Sequence, residues 1–219
     1  MPQRIDAVVF DMDGVLLDSE PLHFITVNEL LAEEGGVLEL AEYLGYVGTT
    51  LEDTWADLVR RFRLKRSFEY YRDRYDAEIL RHYRDSAVLL PGAAWLMEEL
   101  LRRGTRLAVA SSSRTEWVEV CLAKLGLLNK FHAIVTGDMV TQGKPDPEIY
   151  LKASAALRVA PERCLAIEDA PKGVQSAHRA GMTVVAVDTQ YTAALDIPEA
   201  DARIPTLDHF DLHWLDAAA

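Results

Sequence analysis

The chain has 219 residues, enough for one large domain or for a domain with a smaller partner, and its 49% hydrophobic and 26% charged residues exclude a disordered protein. A chain of this length buries roughly 70% of its unfolded surface, so it needs neither disulfides nor a structural metal to stay folded. Its 23 basic and 35 acidic side chains leave a formal charge of −12. That balance excludes nucleic-acid binding by a broad basic surface, but it permits an anionic substrate held by a metal or a local cation cluster.

In chain order, Ile5–Phe10, Leu107–Ser111, Ala133–Thr136, Cys164–Glu168 and Thr183–Val187 are short, nearly continuous apolar runs. Such runs suit strands buried on both faces, as in a parallel sheet. Helical periodicity lies between them at 92–103, 114–125 and 172–180, stopped by Gly104, Gly126 and Gly181 where a left-handed terminus is expected. The interval 17–89 breaks this rhythm. It carries helical spacings (Phe24, Val27, Leu30 and Leu31, then Trp55, Leu58, Val59 and Phe62) and no convincing strand. The expected fold class is α/β: a doubly wound, Rossmann-like parallel sheet formed by 1–16 and 90–219, with a small helical domain inserted at 17–89.

Within the insert, residues 60–84 hold nine Lys or Arg against four Asp or Glu. A solvated helix face is the plainer reading, and an electrostatic guide for a phosphorylated substrate the sharper one. Cys121 and Cys164 lie in apolar surroundings outside any ligand spacing, and read as buried thiols of a reducing compartment. The N-terminal apolar run is too short for a signal peptide, and the longest apolar stretch, Ala87–Met97, is broken by Pro91-Gly92. A membrane association is not expected, and the cytoplasm is the expected location.

Four groups of residues carry chemistry. Asp11 and Asp13 leave the first strand on the same side, followed by Gly14, where the chain turns. Two carboxylates so close require a divalent cation or a shared proton. Glu168-Asp169 ends another buried strand and completes an oxygen donor set suited to Mg2+, although Asp169 is also a natural cap for the next helix. Ser111, Ser112 and Ser113 end a third strand before a helix opens at Arg114, which reads as serine capping or as a phosphate cradle. Lys144, in the loop Gly143-Lys144-Pro145, can neutralise phosphate.

Taken together, FDMDGVLLDSEPLH, VASSSR, GKPDPEIY and AIEDAPKGVQSAHRAGM resemble, over nearly the whole chain, the four motifs of the haloacid dehalogenase-like superfamily. The resemblance implies that Asp11 is a nucleophile forming an aspartyl-phosphate and that Asp13 is the general acid and base. It implies phosphate binding by Ser111, Ser112 and Lys144. Mg2+ would be held by Asp11, the Asp13 carbonyl and Asp169, with Glu168 in support. The second Asp, absent from the dehalogenases, favours phosphoryl transfer.

The insert resembles the helical cap of the β-phosphoglucomutase-like subfamily. That likeness implies substrate contacts from Ser19, Glu20, His23, Gly48 and Thr49. The mutases carry an arginine where this chain has Leu51, which favours a phosphatase of sugar or polyol monophosphates over a mutase; Arg114 remains available as a second phosphate ligand. The expected partner is thus a small phosphorylated metabolite, with the enzyme acting as a monomer. A phosphoaspartyl receiver would be about half this length, with its Asp after a later strand. A non-catalytic scaffold would have lost an acid or the lysine.

Overall fold

The computed structural model describes residues 4–46, 51–193 and 195–216. These divide into two compact units, one of residues 1–18 with 88–219 and the other of residues 19–87.

The larger unit is built on a six-stranded, all-parallel sheet. Its elements are β1 (Ala7–Phe10), and the smaller unit then contributes α1 (Glu20–Ala32), α2 (Leu40–Tyr43), α3 (Leu51–Phe62) and α4 (Phe68–Ser86) before the chain resumes the sheet. There follow α5 (Ala93–Arg102), β2 (Arg106–Ala110), α6 (Thr115–Lys124), β3 (Ala133–Val135), α7 (Glu148–Leu157), β4 (Cys164–Glu168), α8 (Pro171–Arg179), β5 (Thr183–Val187) and β6 (Ala202–Ile204). The strand order is β3-β2-β1-β4-β5-β6. Register is set by Val9, opposite Ala108 on β2 and Ala166 on β4.

Every residue of β1 is fully buried, as a strand between two helical layers must be. Alternation divides it. Ala7 and Val9 join Ile149, Tyr150 and Ala153 of α7 and Val174 and Ala177 of α8 in one core, leaving Val8 and Phe10 for the opposite face. The three helix-ending glycines all have positive φ, as their positions predict. Two elements lack a sequence signal as clear. β6 is three residues of partly exposed edge strand, and α7 follows the Lys144 loop with its apolar residues spread among alanines.

The smaller unit contains α1 to α4 and no strand among its described residues. Trp55 on α3 is fully buried and stacks on Tyr71 of α4, with ring centroids 5.0 Å apart and planes 7° from parallel. Part of the basic run 60–84 is ion-paired at the surface. Arg61 pairs with Glu42, Arg74 with Glu33, and Arg81 with Glu29 and Glu78. No helix among the described residues is long and apolar enough to cross a membrane. Both cysteines are free and buried.

Because Trp55 is the largest fully buried side chain of its unit, Trp55→Ala should cost about 3–5 kcal/mol. Denaturant unfolding followed by circular dichroism would measure this, and a loss under 1 kcal/mol would contradict the packing.

Candidate active site

The order β3-β2-β1-β4-β5-β6 reverses direction between β1 and β4, and the crevice beyond the carboxyl ends of such strands is where open α/β sheets bind ligands. The sequence places an acidic pair at the end of each. Asp11 extends the ladder by one bond, its N–H donating to the Ile167 carbonyl at 2.9 Å, so its position is fixed by the sheet itself. Ser111 is held in the same way by its N–H to the Val135 carbonyl at 3.0 Å.

Carboxylate oxygens of Asp11, Glu168 and Asp169 all lie within 4.8 Å of one another. These residues are 6%, 1% and 9% exposed. Lys144 reaches into this cluster, Nζ donating to Asp11 Oδ1 at 2.7 Å and to Glu168 Oε1 at 2.5 Å. Glu168 is held from three further directions. The Tyr150 hydroxyl donates to Oε1 at 2.8 Å, and the N–H groups of Asp169 and Ala170 donate to Oε2 at 3.0 and 3.3 Å. The Lys144 ammonium also lies 5.2 Å from the centre of the Tyr150 ring.

Glycine makes room for this cluster at two positions. A Cβ on Gly173 would sit 1.9 Å from Glu168 Oε1, and one on Gly14 (φ +79°) would sit 2.2 Å from Asp169 Oδ2. The turn after β1 and the first turn of α8 can therefore approach the acids only with hydrogen as side chain.

Asp13 is placed differently. Its Oδ2 accepts from the Ser113 hydroxyl at 2.9 Å and from Ser111 at 3.5 Å, and the Ser111 oxygen accepts the Ser113 N–H at 3.1 Å. The other oxygen, Oδ1, is buried without a hydrogen-bond partner among the described residues. A buried, unpartnered carboxylate oxygen is costly, and a proton or a ligand would relieve it.

One ammonium facing three crowded carboxylates leaves negative charge in excess. Burial pushes the Asp11 carboxyl up to about 8, against the pull of Lys144 and with the repulsion of Glu168 and Asp13. Burial, and then Glu168 and Asp11, likewise raise Asp169 well above the carboxylate range. Burial alone would lower Lys144, but Asp11 and Glu168 outweigh it and hold its ammonium charged above the usual lysine range. Burial and Glu168 raise Tyr150, keeping its hydroxyl a donor. An oxygen-only donor set with a charge deficit fits a hard divalent cation, and Asp11, Glu168 and Asp169 could hold one.

The remaining sequence expectations fall elsewhere. The Ser112 side chain is exposed, and Arg114 caps α6 with its guanidinium 5.9 Å from the Trp117 ring centre. Asp169 is not the cap of α8. That position is Ala170, without a side-chain hydrogen bond, because the Asp169 carboxylate is turned toward the other acids. The serines also stop short of a helix N-terminus, since α6 starts at Thr115.

In the smaller unit, Ser19 is buried at the start of α1, and Glu20 accepts the Tyr43 hydroxyl at 2.6 Å. His23 lies between Tyr75, at 2.5 Å from Nδ1, and Tyr83, at 3.2 Å from Nε2. Gly48 and Thr49 lie outside the described residues, and Leu51 opens α3. Two contributors are not singled out by sequence: Gly173 and Tyr150. The last is spaced six residues after Lys144, a position that reads simply as a core aromatic.

Folding takes up a proton at Asp11 in metal-free protein, because the unfolded chain releases it near pH 4 and the folded one near 8. Stability should therefore fall as pH rises between those values. Melting temperatures from pH 5 to 9, with Asp11→Asn as control, should show a decline that is shallower in the variant, where Asp169 remains the raised carboxyl. An equal slope in both proteins would remove Asp11 as its source.

A family model described as haloacid dehalogenase-like hydrolase matches residues 8–187. The chain is 33% identical over 178 residues to the phosphorylated carbohydrates phosphatase of Thermotoga maritima, covering 81% of this chain and 82% of that protein. It is also 33% identical over 196 residues to the beta-phosphoglucomutase of Bacillus subtilis, covering 83% and 82%. The crystal structure of CbbY from Rhodobacter sphaeroides in complex with phosphate superposes with a TM-score of 0.84 at 29% identity, covering 97% of this chain and 99% of that one.

Proposed function

The chain belongs to the haloacid dehalogenase-like hydrolases, and on that premise we propose that it is a Mg2+-dependent phosphatase of small sugar or polyol monophosphates, working through an aspartyl-phosphate. The observation that carries this reading is the meeting of Asp11, Lys144, Glu168 and Asp169 beyond β1 and β4. The likeness to a phosphatase of phosphorylated carbohydrates and to a phosphate-bound CbbY supports the substrate class.

In this reading, Asp11 attacks phosphorus through a carboxylate oxygen, forming a new P–O bond as the ester P–O bond breaks. The leaving oxygen takes a proton from Asp13. The Asp13 carboxylate then removes a proton from water, whose oxygen attacks the same phosphorus and releases inorganic phosphate and the Asp11 carboxylate. The unpartnered Oδ1 of Asp13 is the atom suited to this traffic, because Ser111 and Ser113 hold Oδ2 and fix the plane of the carboxyl. Lys144 offsets charge on the phosphoryl oxygens and draws Asp11 toward its ionised form against the effect of burial. The Ser111 hydroxyl and the backbone N–H of Ser112 orient the transferring group.

Asp11, the Asp13 carbonyl and Asp169, with Glu168 in support, would hold Mg2+, which supplies charge neutralisation between two anionic reactants. The helical unit 19–87 serves as the cap that excludes water and selects the substrate, with Ser19, Glu20 and His23 as its contributors to binding.

A second reading, a phosphoryl-transferring isomerase, is favoured by the 33% identity to a beta-phosphoglucomutase. Leu51 speaks against it, because an apolar side chain stands where those mutases grip a distal phosphate.

Asp11→Asn should leave the fold intact and reduce turnover of p-nitrophenyl phosphate to below about 1%, since loss of a nucleophile costs several orders of magnitude. EDTA should abolish wild-type activity and Mg2+ restore it. Activity that survives either treatment would refute the mechanism.

Two parallel assays separate the readings: free phosphate released from sugar and polyol monophosphates, and glucose 6-phosphate formed from β-glucose 1-phosphate primed with a sugar bisphosphate. Phosphate release should dominate. Isomerisation exceeding release would establish the mutase instead.

A further inference from the structure

The opposite edge of the sheet carries a second concentration of charge. The segments that lead into β1, β2 and β4 surround a surface cavity of ≈390 Å3, lined by Arg4, Arg103, Arg106, Arg158 and Arg163, with Asp6 the sole acid among the described lining residues. In a chain of charge −12, five guanidinium groups around one cavity run against the field of the whole molecule.

Local pairing accounts for only part of this charge. Arg163 pairs with Asp6, whose carboxylate is also 3.9 Å from Arg4 Nε. Arg103 donates to Glu99 at 2.8 Å, and Arg106 donates to the Leu157 carbonyl at 2.6 Å, which leaves its charge uncompensated. Arg158 ends α7 in the left-handed conformation (φ 55°), where glycine is favoured, and its guanidinium has no hydrogen-bond or ion-pair partner among the described residues.

We propose that this cavity binds a compact polyanion with two or more linked phosphate groups, either an inorganic polyphosphate or the phosphate chain of a nucleotide. Its volume falls in the range of small-molecule sites. Guanidinium forks match phosphate oxygens in pairs. A single phosphate, with about two negative charges, would leave the arginines undercompensated, whereas a phosphate chain meets several at once. β1 separates Asp6 at this edge from Asp11 at the other, a span of ~17 Å for five extended residues, so the ligand does not compete with substrate.

Isothermal titration calorimetry at low ionic strength in metal-free buffer tests the site, with tripolyphosphate and ATP as probes. Under those conditions the carboxylate edge repels anions. Wild-type protein should bind one tripolyphosphate per chain, more weakly as salt is added. Arg103→Gln/Arg158→Gln should weaken binding by about tenfold or more while leaving p-nitrophenyl phosphate hydrolysis and the circular dichroism spectrum unchanged. Arg163→Gln, a separate exposed substitution, should weaken it also. Tighter binding of ATP would assign a nucleotide, and equal or weaker binding the phosphate chain alone; either supports the site. No saturable binding to the wild type, an unchanged affinity in the variants, or equal affinity for inorganic phosphate would overturn it. This outcome is independent of the activity proposed above, since none of these arginines belongs to the carboxylate cluster.

Discussion

The Lys144 ammonium, buried between Asp11 and Glu168, is the contact on which the rest of the larger unit's active edge depends. Carboxylates at 1% to 9% exposure cannot be kept together in a poorly solvating interior without a cation. Lys144 supplies one charge and sets which oxygens it occupies. Tyr150 and two backbone N–H groups complete Glu168, and the glycines at 14 and 173 let the chain pass close to the acids. One ammonium is still too few for the group. Burial, and after it that deficit, raise Asp11 and Asp169, and the deficit is the physical reason that the donor set suits a divalent cation.

Topology explains why residues spread from position 11 to position 169 act together. In a parallel sheet every strand ends on the same edge, so β1, β2 and β4 bring Asp11, Ser111 and Glu168 together there whatever their separation in the chain. The same geometry gathers the beginnings of β1, β2 and β4 at the other edge, which is how Arg4, Arg106 and Arg163 come to line one cavity. The two edges differ in sign, acidic at the strand ends and basic at their beginnings.

The helical unit is organised by aromatic and charged pairs in its interior and on its surface. Trp55 on Tyr71, and His23 between Tyr75 and Tyr83, tie α3 and α1 to α4. Three arginines of the basic run, Arg61, Arg74 and Arg81, pair with acids from the preceding helical segments. Leu51, the first residue of α3, is the side chain of this unit on which the proposed phosphatase and the mutase reading differ.

The sequence by itself determined the α/β class, the strands of the sheet interior, the helical insert and the acidic pairs with Lys144. All of these are local signals: continuous apolar runs, glycines at helix ends, and charged residues directly after a buried strand. The tertiary structure alone decided which groups complete one another. Tyr150 reads as one more core aromatic until α7 brings its hydroxyl to Glu168, and of the two roles open to Asp169, metal ligand and helix cap, the fold turns its carboxylate to the cluster and leaves the cap to Ala170. Ser113 supplies a 2.9 Å bond to Asp13 because the chain after β2 turns before α6 begins. The arginine cavity is invisible in sequence, since its members come from three segments that only strand pairing aligns. Local pattern encodes where the chain is buried and where it turns. Distances between side chains far apart in sequence are set by register and packing, which no single segment contains.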